Sequence, residues 1–229
     1  MNGHLVLVLR VQPPIKCLIE TAMSTPPTPQ KPATSKEDRR QALVQAAFNQ
    51  IAERGFEGLR TREVAAEVGV NIATLHYYFP SKEALIRGVV ELSMQRFRST
   101  LTPHGSSADQ LRNHLRAVRQ LLRDEPQLGT VMGELALRSA RDPAIAGIME
   151  ETNAAWHRTV RGLLRRAVRD GHLRPELDSD GVAALVLATL TSMTLPSVAG
   201  TARTEQALRQ LERWLGIAGT EASPPLSSN

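Results

Sequence analysis

The chain has 229 residues, of which 41% are hydrophobic and 22% are charged, proportions that are ordinary for a globular protein. Its single cysteine, Cys17, excludes an internal disulfide and a cysteine-based metal cluster, so a reducing, cytoplasmic setting fits best. The formal net charge of +5 is compatible with an anionic partner such as nucleic acid but does not select one by itself.

The first 34 residues are expected to form a disordered extension. The apolar stretch HLVLVLRV is short, is broken by Arg10 and lacks the flanks of a secretory signal. The proline-rich stretch STPPTPQKPATSK has no apolar anchors. Residues 1–22 need not fold, and Met23 is an alternative start. No apolar run approaches the ~20 residues that cross a bilayer, so no membrane partner is expected.

From Ser35 onward the apolar residues recur at helical spacing, and no alternating strand pattern is found. The sequence therefore predicts an all-α fold. Capping residues, glycines and prolines set the helix ends. The predicted helices span residues 35–54, 61–68, 71–79, 81–100, 108–124, 126–140, 143–170, 181–198 and 204–216.

The second and third predicted helices are short and are joined by a turn that contains Gly69. Such a pair forms a helix-turn-helix, whose second helix can enter the major groove of DNA. Tyr77, Tyr78 and Phe79 stand in a row at the end of this second helix, in a chain that is only 3% aromatic. We interpret Phe79 and Leu75 as core residues and the two tyrosines as contacts to the DNA backbone.

Candidate DNA contacts fall into two groups. Residues in the first turn of the third helix are placed to reach base edges. These are Ile72, Ala73 and Thr74. Ring tips further along this helix, and groups at other helix starts, are placed to bind phosphate oxygens. These are His76, Tyr77, Tyr78, Thr61 and Lys82. The alternative for each is an ordinary core or surface role, and the basic residues Lys31, Lys36, Arg39 and Arg40 are either solvated or assist backbone binding.

The segment TREVAAEVGVNIATLHYYFPSKEALI strongly resembles the DNA-binding segment of the TetR (tetracycline repressor) family of bacterial regulators. With the first helix, the resemblance covers roughly residues 36–94. It departs from the family at His76, where a tyrosine is common. The resemblance implies a DNA-binding domain over residues 35–80, a connecting helix over 81–100, and an effector-binding and dimerisation domain over 101–218. A flexible tail is expected over 219–229.

The predicted helix 181–198 is apolar nearly all round, so it must be buried on more than one side. We expect it to pair with its copy in a second subunit, together with the last helix, in a four-helix interface. The candidate interface residues are Leu185, Leu187, Leu190, Met193, Leu208, Leu211, Trp214 and Leu215. A helix buried within its own subunit remains the alternative.

The resemblance also implies a small-molecule pocket in the second half of the chain. Large or flexible apolar groups with scattered polar ones are typical of such pockets. The candidates are His114, Met132, Leu135, Met149, Asn153 and Trp156, each of which has ordinary packing as its alternative.

The expected function is therefore a ligand-responsive homodimeric repressor that binds a palindromic operator in double-stranded DNA and releases it when a small molecule binds. No catalytic residue, metal or cofactor is expected, because the sequence has no His-x-x-x-His or Glu-x-x-His pair, no Gly-rich phosphate loop and no Gly-x-Ser-x-Gly motif. Two other classes stay open: a helical enzyme and a helical module that binds only proteins.

Overall fold

The computed structural model describes residues 35–195, 197–198 and 201–216, which form nine α-helices and one 3-10 turn, Phe56–Gly58. The predicted extension 1–34 and tail 219–229 lie outside the described residues. The helices are α1 (Lys36–Arg54), α2 (Thr61–Val68), α3 (Ile72–Tyr78), α4 (Lys82–Ser99), α5 (Ser107–Asp124), α6 (Pro126–Ser139), α7 (Pro143–Arg169), α8 (Ser179–Ser192) and α9 (Ala202–Trp214). The predicted all-α fold is confirmed.

Side-chain caps explain why several helices begin where the sequence predicts. Ser35 and Asp38 form a reciprocal capping box at the start of α1, with N–H to oxygen distances of 3.0 and 2.9 Å. The side chain of Asn71 accepts the Thr74 amide at 2.7 Å and starts α3. Ser81 accepts the Ala84 amide in the same way and starts α4.

The end of α8 differs from the prediction. The helix stops at Ser192 rather than near residue 198. The hydroxyls of Ser192 and Thr194 donate to backbone carbonyls three residues back, which competes with continued helix. Pro196, two positions further in the sequence, also disfavours helical backbone before it. The predicted end near residue 198 was based on the apolar pattern, which does not take these polar groups into account.

The helices pack around a continuous hydrophobic core. At the N-terminal end, α1 contacts α2 and α4, and α2 contacts α3. The buried side chains there include Leu43, Ala47, Phe48, Val64, Leu75, Phe79 and Leu85. In the rest of the protein α7 is central and contacts α4, α5, α6 and α8. As a result, α4 belongs to both parts, since it contacts α1 as well as α7.

The 3-10 turn, which the sequence did not predict, fastens the N-terminal helices to α6. The Phe56 amide donates to Glu134 at 3.1 Å, and Arg138 forms an ion pair with Glu57 at 2.6 Å. Gly55 precedes the turn with φ +70°, and a Cβ built there would lie 3.2 Å from the Glu134 carboxylate. We call this contact, formed by Gly55, Phe56, Glu57, Glu134 and Arg138, the α6 latch.

Replacing Gly55 by alanine should lower the free energy of unfolding by about 1–3 kcal/mol, because φ +70° with extended ψ is strained for any residue that has a Cβ. Urea denaturation measures this change. The matched control is Gly147→Ala in α7, where a Cβ meets nothing within 4 Å. The control should be neutral or stabilise by up to about 1 kcal/mol. Equal effects of the two substitutions would contradict the role given to Gly55.

Candidate nucleic-acid interface and ligand cavity

Helices α2 and α3 form a helix-turn-helix held by backbone hydrogen bonds. Gly69 ends α2 in the left-handed region at φ +73°, and the amide of Val70 donates back to the Ala65 carbonyl at 2.9 Å. Asn71 then caps α3. This tight connection fixes the direction in which α3 leaves α2 and therefore which of its faces meets solvent.

One face of α3 is anchored and the other is open. Leu75 and the following Phe79 are buried in the N-terminal core, and Ile72 packs against that core as a partly buried residue. Ala73 and His76 are exposed. Of the three predicted base-reading positions, Ala73 is exposed, whereas Ile72 and Thr74 are partly buried. Their contact with base edges stays a prediction.

The two tyrosines lie at the end of this face. Tyr77 is 68% exposed, and Tyr78 is partly buried against the core. Their rings contact edge to face, with centroids 5.3 Å apart. The ammonium of Lys36, at the start of α1, donates to the Tyr77 hydroxyl at 3.1 Å, and this hydrogen bond raises the pKa of Lys36. The Tyr77 hydroxyl accepts this bond, so its own hydrogen remains available to a phosphate oxygen.

The remaining predicted contacts are less directly placed. The Thr74 hydroxyl donates to Asn71 at 2.9 Å, so toward DNA it offers acceptor lone pairs. Thr61 is the first residue of α2, whose N-cap position is held by Arg60 without a side-chain hydrogen bond. The ammonium of Lys82 lies 4.5 Å from the centroid of the Phe56 ring, and partial burial there lowers its pKa. Lys82 therefore adjoins the α6 latch, and its phosphate contact stays a prediction.

A cavity lies in the C-terminal part, between α4, α5, α6, α7 and α8. Its empty space, counted together with the open mouth, is about 560 Å³. The apolar lining consists of Met94, Phe97, Val118, Leu122, Met132, Ala136, Met149, Trp156 and Leu190. The polar lining consists of Ser139, Thr152, Asn153, Thr191 and Thr194.

Four of the six predicted pocket residues line this cavity: Met132, Met149, Asn153 and Trp156. The other two do not. Leu135 is fully buried in the core, and His114 lies behind the wall that Trp156 forms.

His114 joins the cavity wall to the end of α4 through a chain of hydrogen bonds. The Trp156 indole, which can only donate, bonds His114 Nε2 at 3.2 Å. Neutral His114 therefore carries its proton on Nδ1, which lies 2.7 Å from the Thr100 hydroxyl. That hydroxyl in turn donates to the carbonyl of Phe97, whose ring stacks on Trp156 at 5.3 Å. Burial lowers the pKa of His114 to about 4.

Most of the predicted dimer residues are buried within the subunit and are not exposed to a partner. Six of them are already buried within the subunit, and these are Leu187, Leu190, Met193, Leu208, Leu211 and Leu215. Only Leu185 and Trp214 are exposed, at 46% and 48%. Helix α8 packs along α7 of its own chain, so most of its apolar side chains cover the intramolecular core. The dimer interface stays a prediction.

Among the described residues, no helix has the length and hydropathy needed to span a membrane. Within the same part of the chain, no group of three His, Cys, Asp or Glu side chains is arranged to hold a metal ion.

An exposed recognition helix on a helix-turn-helix, joined through one long helix to an all-α part with a cavity, defines the class of helix-turn-helix transcription regulators. Residues 43–89 match the family "Bacterial regulatory proteins, tetR family", and residues 101–212 match "Tetracyclin repressor-like, C-terminal domain". The chain belongs to the TetR family of transcription regulators.

Individual relatives agree with this assignment. The HTH-type transcriptional repressor KstR2 of Mycobacterium tuberculosis is 25% identical over 155 residues, covering 66% of this chain and 77% of the relative. The nucleoid occlusion factor SlmA of Haemophilus influenzae is 29% identical over 142 residues, or 60% and 65% of the two chains. A TetR-family regulator structure from Rhodococcus sp. has the same fold, with a TM-score of 0.71 and 23% identity over 80% of this chain and 98% of that one.

Proposed function

We propose that this regulator is a homodimeric repressor that binds a palindromic DNA operator through α3 and releases it when a small molecule enters the cavity. The observation that carries this proposal is the open face of α3. Ala73, His76 and Tyr77 are exposed there, while Leu75 and Phe79 hold the helix on the core. Such a helix is positioned to enter a groove without unfolding any part of the chain.

The exposed side of α8 supports the homodimer. Ala184, Leu185, Ala188 and Thr191 are exposed at helical spacing, so they form one stripe, which we call the α8 face. Small residues allow two helices to approach closely, and Leu185 supplies apolar area. Two copies joined in this way present two α3 helices, as a palindrome with half-sites about 34 Å apart requires.

The Leu185→Glu substitution should shift the protein from dimer to monomer, because a carboxylate would be buried against apolar side chains of the partner. We expect at least about 100-fold weaker association, since burying a charge without a partner costs several kcal/mol. Sedimentation equilibrium measures the change. Ala155→Glu, an exposed position on α7, is the control and should remain dimeric. A dimer that survives Leu185→Glu would contradict the α8 face as the interface.

Helix α4 is the element through which ligand binding would reach α3. It begins beside α3, packs on α1, and lines the cavity with Met94 and Phe97 near its other end. A ligand that binds more tightly to a conformation in which the two α3 helices are misplaced will shift the population toward it, by that difference in affinity. No other described helix touches both α1 and the cavity while also adjoining α3 in the sequence.

Selection of bound duplexes from random DNA tests the proposal. The expected result is a palindrome whose half-sites are centred one helical turn apart or a small multiple of it. Binding should weaken steeply with salt, as phosphate contacts dictate. Recovery of no sequence preference, or of a single half-site bound by a monomer, would contradict the proposal.

A further inference from the structure

We infer that the cavity accepts an uncharged, predominantly apolar molecule whose buried polar end donates a hydrogen bond, as an apolar alcohol does. This inference rests on the proposed function, because it names the chemical class of the effector. It is carried by the hydrogen-bonding state of the lining rather than by the size of the cavity.

The cavity offers no counter-charge to an ionic ligand. Among the described residues, none of the fourteen that line it is ionisable. The nearest histidine, His114, is behind the Trp156 wall, where burial keeps it neutral by lowering its pKa to about 4. A carboxylate or phosphate taken inside would therefore lose its water without gaining a cation.

Three of the five polar side chains in the lining have already used their hydrogens. The hydroxyls of Ser139, Thr152 and Thr194 donate to backbone carbonyls three or four residues back, at 2.7, 2.7 and 2.8 Å. The indole N–H of Trp156 is taken by His114. What these hydroxyls still present to the cavity is acceptor lone pairs, so the complementary group on a ligand is a donor.

The mouth of the cavity does not favour an anion either. The cavity opens between α6, α7 and α8 into an outward groove that also runs along the α8 face. The polar residues shared by the cavity and the groove are Ser139, Asn153, Thr191 and Thr194. In the described part of the chain, the ionisable residues that line this groove are Glu150 and His157, and no lysine or arginine lines it. An anionic head group left at the mouth would meet the like charge of Glu150 and no lysine or arginine.

The apolar walls can adapt to a flexible chain. Met94, Met132 and Met149, three of the six methionines in the sequence, line the cavity. Unbranched thioether side chains change rotamer readily and fill irregular gaps. The stacked rings of Phe97 and Trp156 form a firmer wall opposite this adjustable surface.

Isothermal titration calorimetry on the full-length protein, with matched ten-carbon probes at neutral pH, tests the inference. We expect 1-decanol to bind at least about tenfold more tightly than decanoate or decylammonium, since only the alcohol is uncharged and donates. Thr152→Val, which removes an acceptor but keeps the shape, should weaken decanol several-fold and leave decanoate unchanged.

A gain of function adds a second test. Met149→Lys places an ammonium in the lining and should strengthen decanoate about tenfold or more, whereas Met149→Gln, of similar length and no charge, should not. Three results would overturn the inference. The first is that decanoate or decylammonium binds the unmodified protein as tightly as decanol. The others are that no probe binds, or that decanoate binding does not respond to Met149→Lys.

Operator binding is measured separately by gel shift, so the two proposals fail in different ways. A protein that binds its operator but prefers the anion would overturn the ligand class alone. A protein that prefers decanol but binds no duplex would overturn the proposed function alone.

Discussion

We expect the Ala73→Glu substitution to weaken operator binding about 100-fold or more while leaving the fold intact. Ala73 is the second residue of α3 and is exposed, so a longer side chain displaces nothing in the free protein. A carboxylate in the first turn of a helix is favourable in itself, because it interacts with the positive end of the helix dipole. In the complex the same carboxylate would face the phosphates and acceptor-rich base edges, where like charge costs several kcal/mol.

Fluorescence anisotropy with the selected operator measures this loss, and circular dichroism with a urea titration checks the fold. Ala155→Glu makes the same chemical change on an exposed part of α7 away from α3 and should keep the affinity of the unmodified protein. An Ala73→Glu protein that is folded and binds with full affinity would show that α3 does not enter the groove.

The second large effect concerns His114 and the dependence of stability on pH. Its pKa is about 4 in the folded protein and 6.5 as the ordinary value. Between these values the unfolded chain binds a proton that the folded chain does not. The free energy of unfolding therefore falls as the pH falls through this window, by about 3 kcal/mol in total and about 2 kcal/mol between pH 7 and pH 5. Below about pH 4 this residue causes no further loss.

Urea unfolding of the unmodified protein and of His114→Gln, at pH 7 and pH 5, isolates this contribution. Glutamine keeps a donor and an acceptor beside Thr100 and Trp156 but does not titrate. The variant should lose about 2 kcal/mol less than the unmodified protein over this interval, because the carboxylates that titrate in both proteins cancel in the comparison. Parallel pH profiles would mean that His114 is hydrated or protonated in the folded state.

Local sequence rules predicted most of the helical framework and the orientation of α3. Ser35, Asn71 and Ser81 cap their helices as expected, because a cap depends only on residues three positions away. Leu75 and Phe79 are buried because the helical period places them on one face. The accessible face of α3 follows directly from that anchoring.

Contacts between distant parts of the chain could not be predicted in this way. The Lys36–Tyr77 pair joins residues 41 positions apart, and the Phe56–Glu134 hydrogen bond spans 78. For α8 the apolar pattern was identified correctly. However, the distribution of apolar residues around a helix does not indicate whether the helix is buried against its own chain or against a second subunit. Leu185 lies on the open side and Leu187 on the core side, a distinction that requires the position of α7.

Helix α6 both lines the cavity and holds the DNA-binding end of the protein. Met132 and Ala136 face the cavity, while Glu134 and Arg138, on the same two turns, form the latch. If α6 couples the two sites, the coupling is reciprocal. The factor by which the effector lowers the affinity for the operator equals the factor by which the operator lowers the affinity for the effector. Titrating the small molecule against free and DNA-loaded protein would therefore yield the interaction free energy twice, by independent routes.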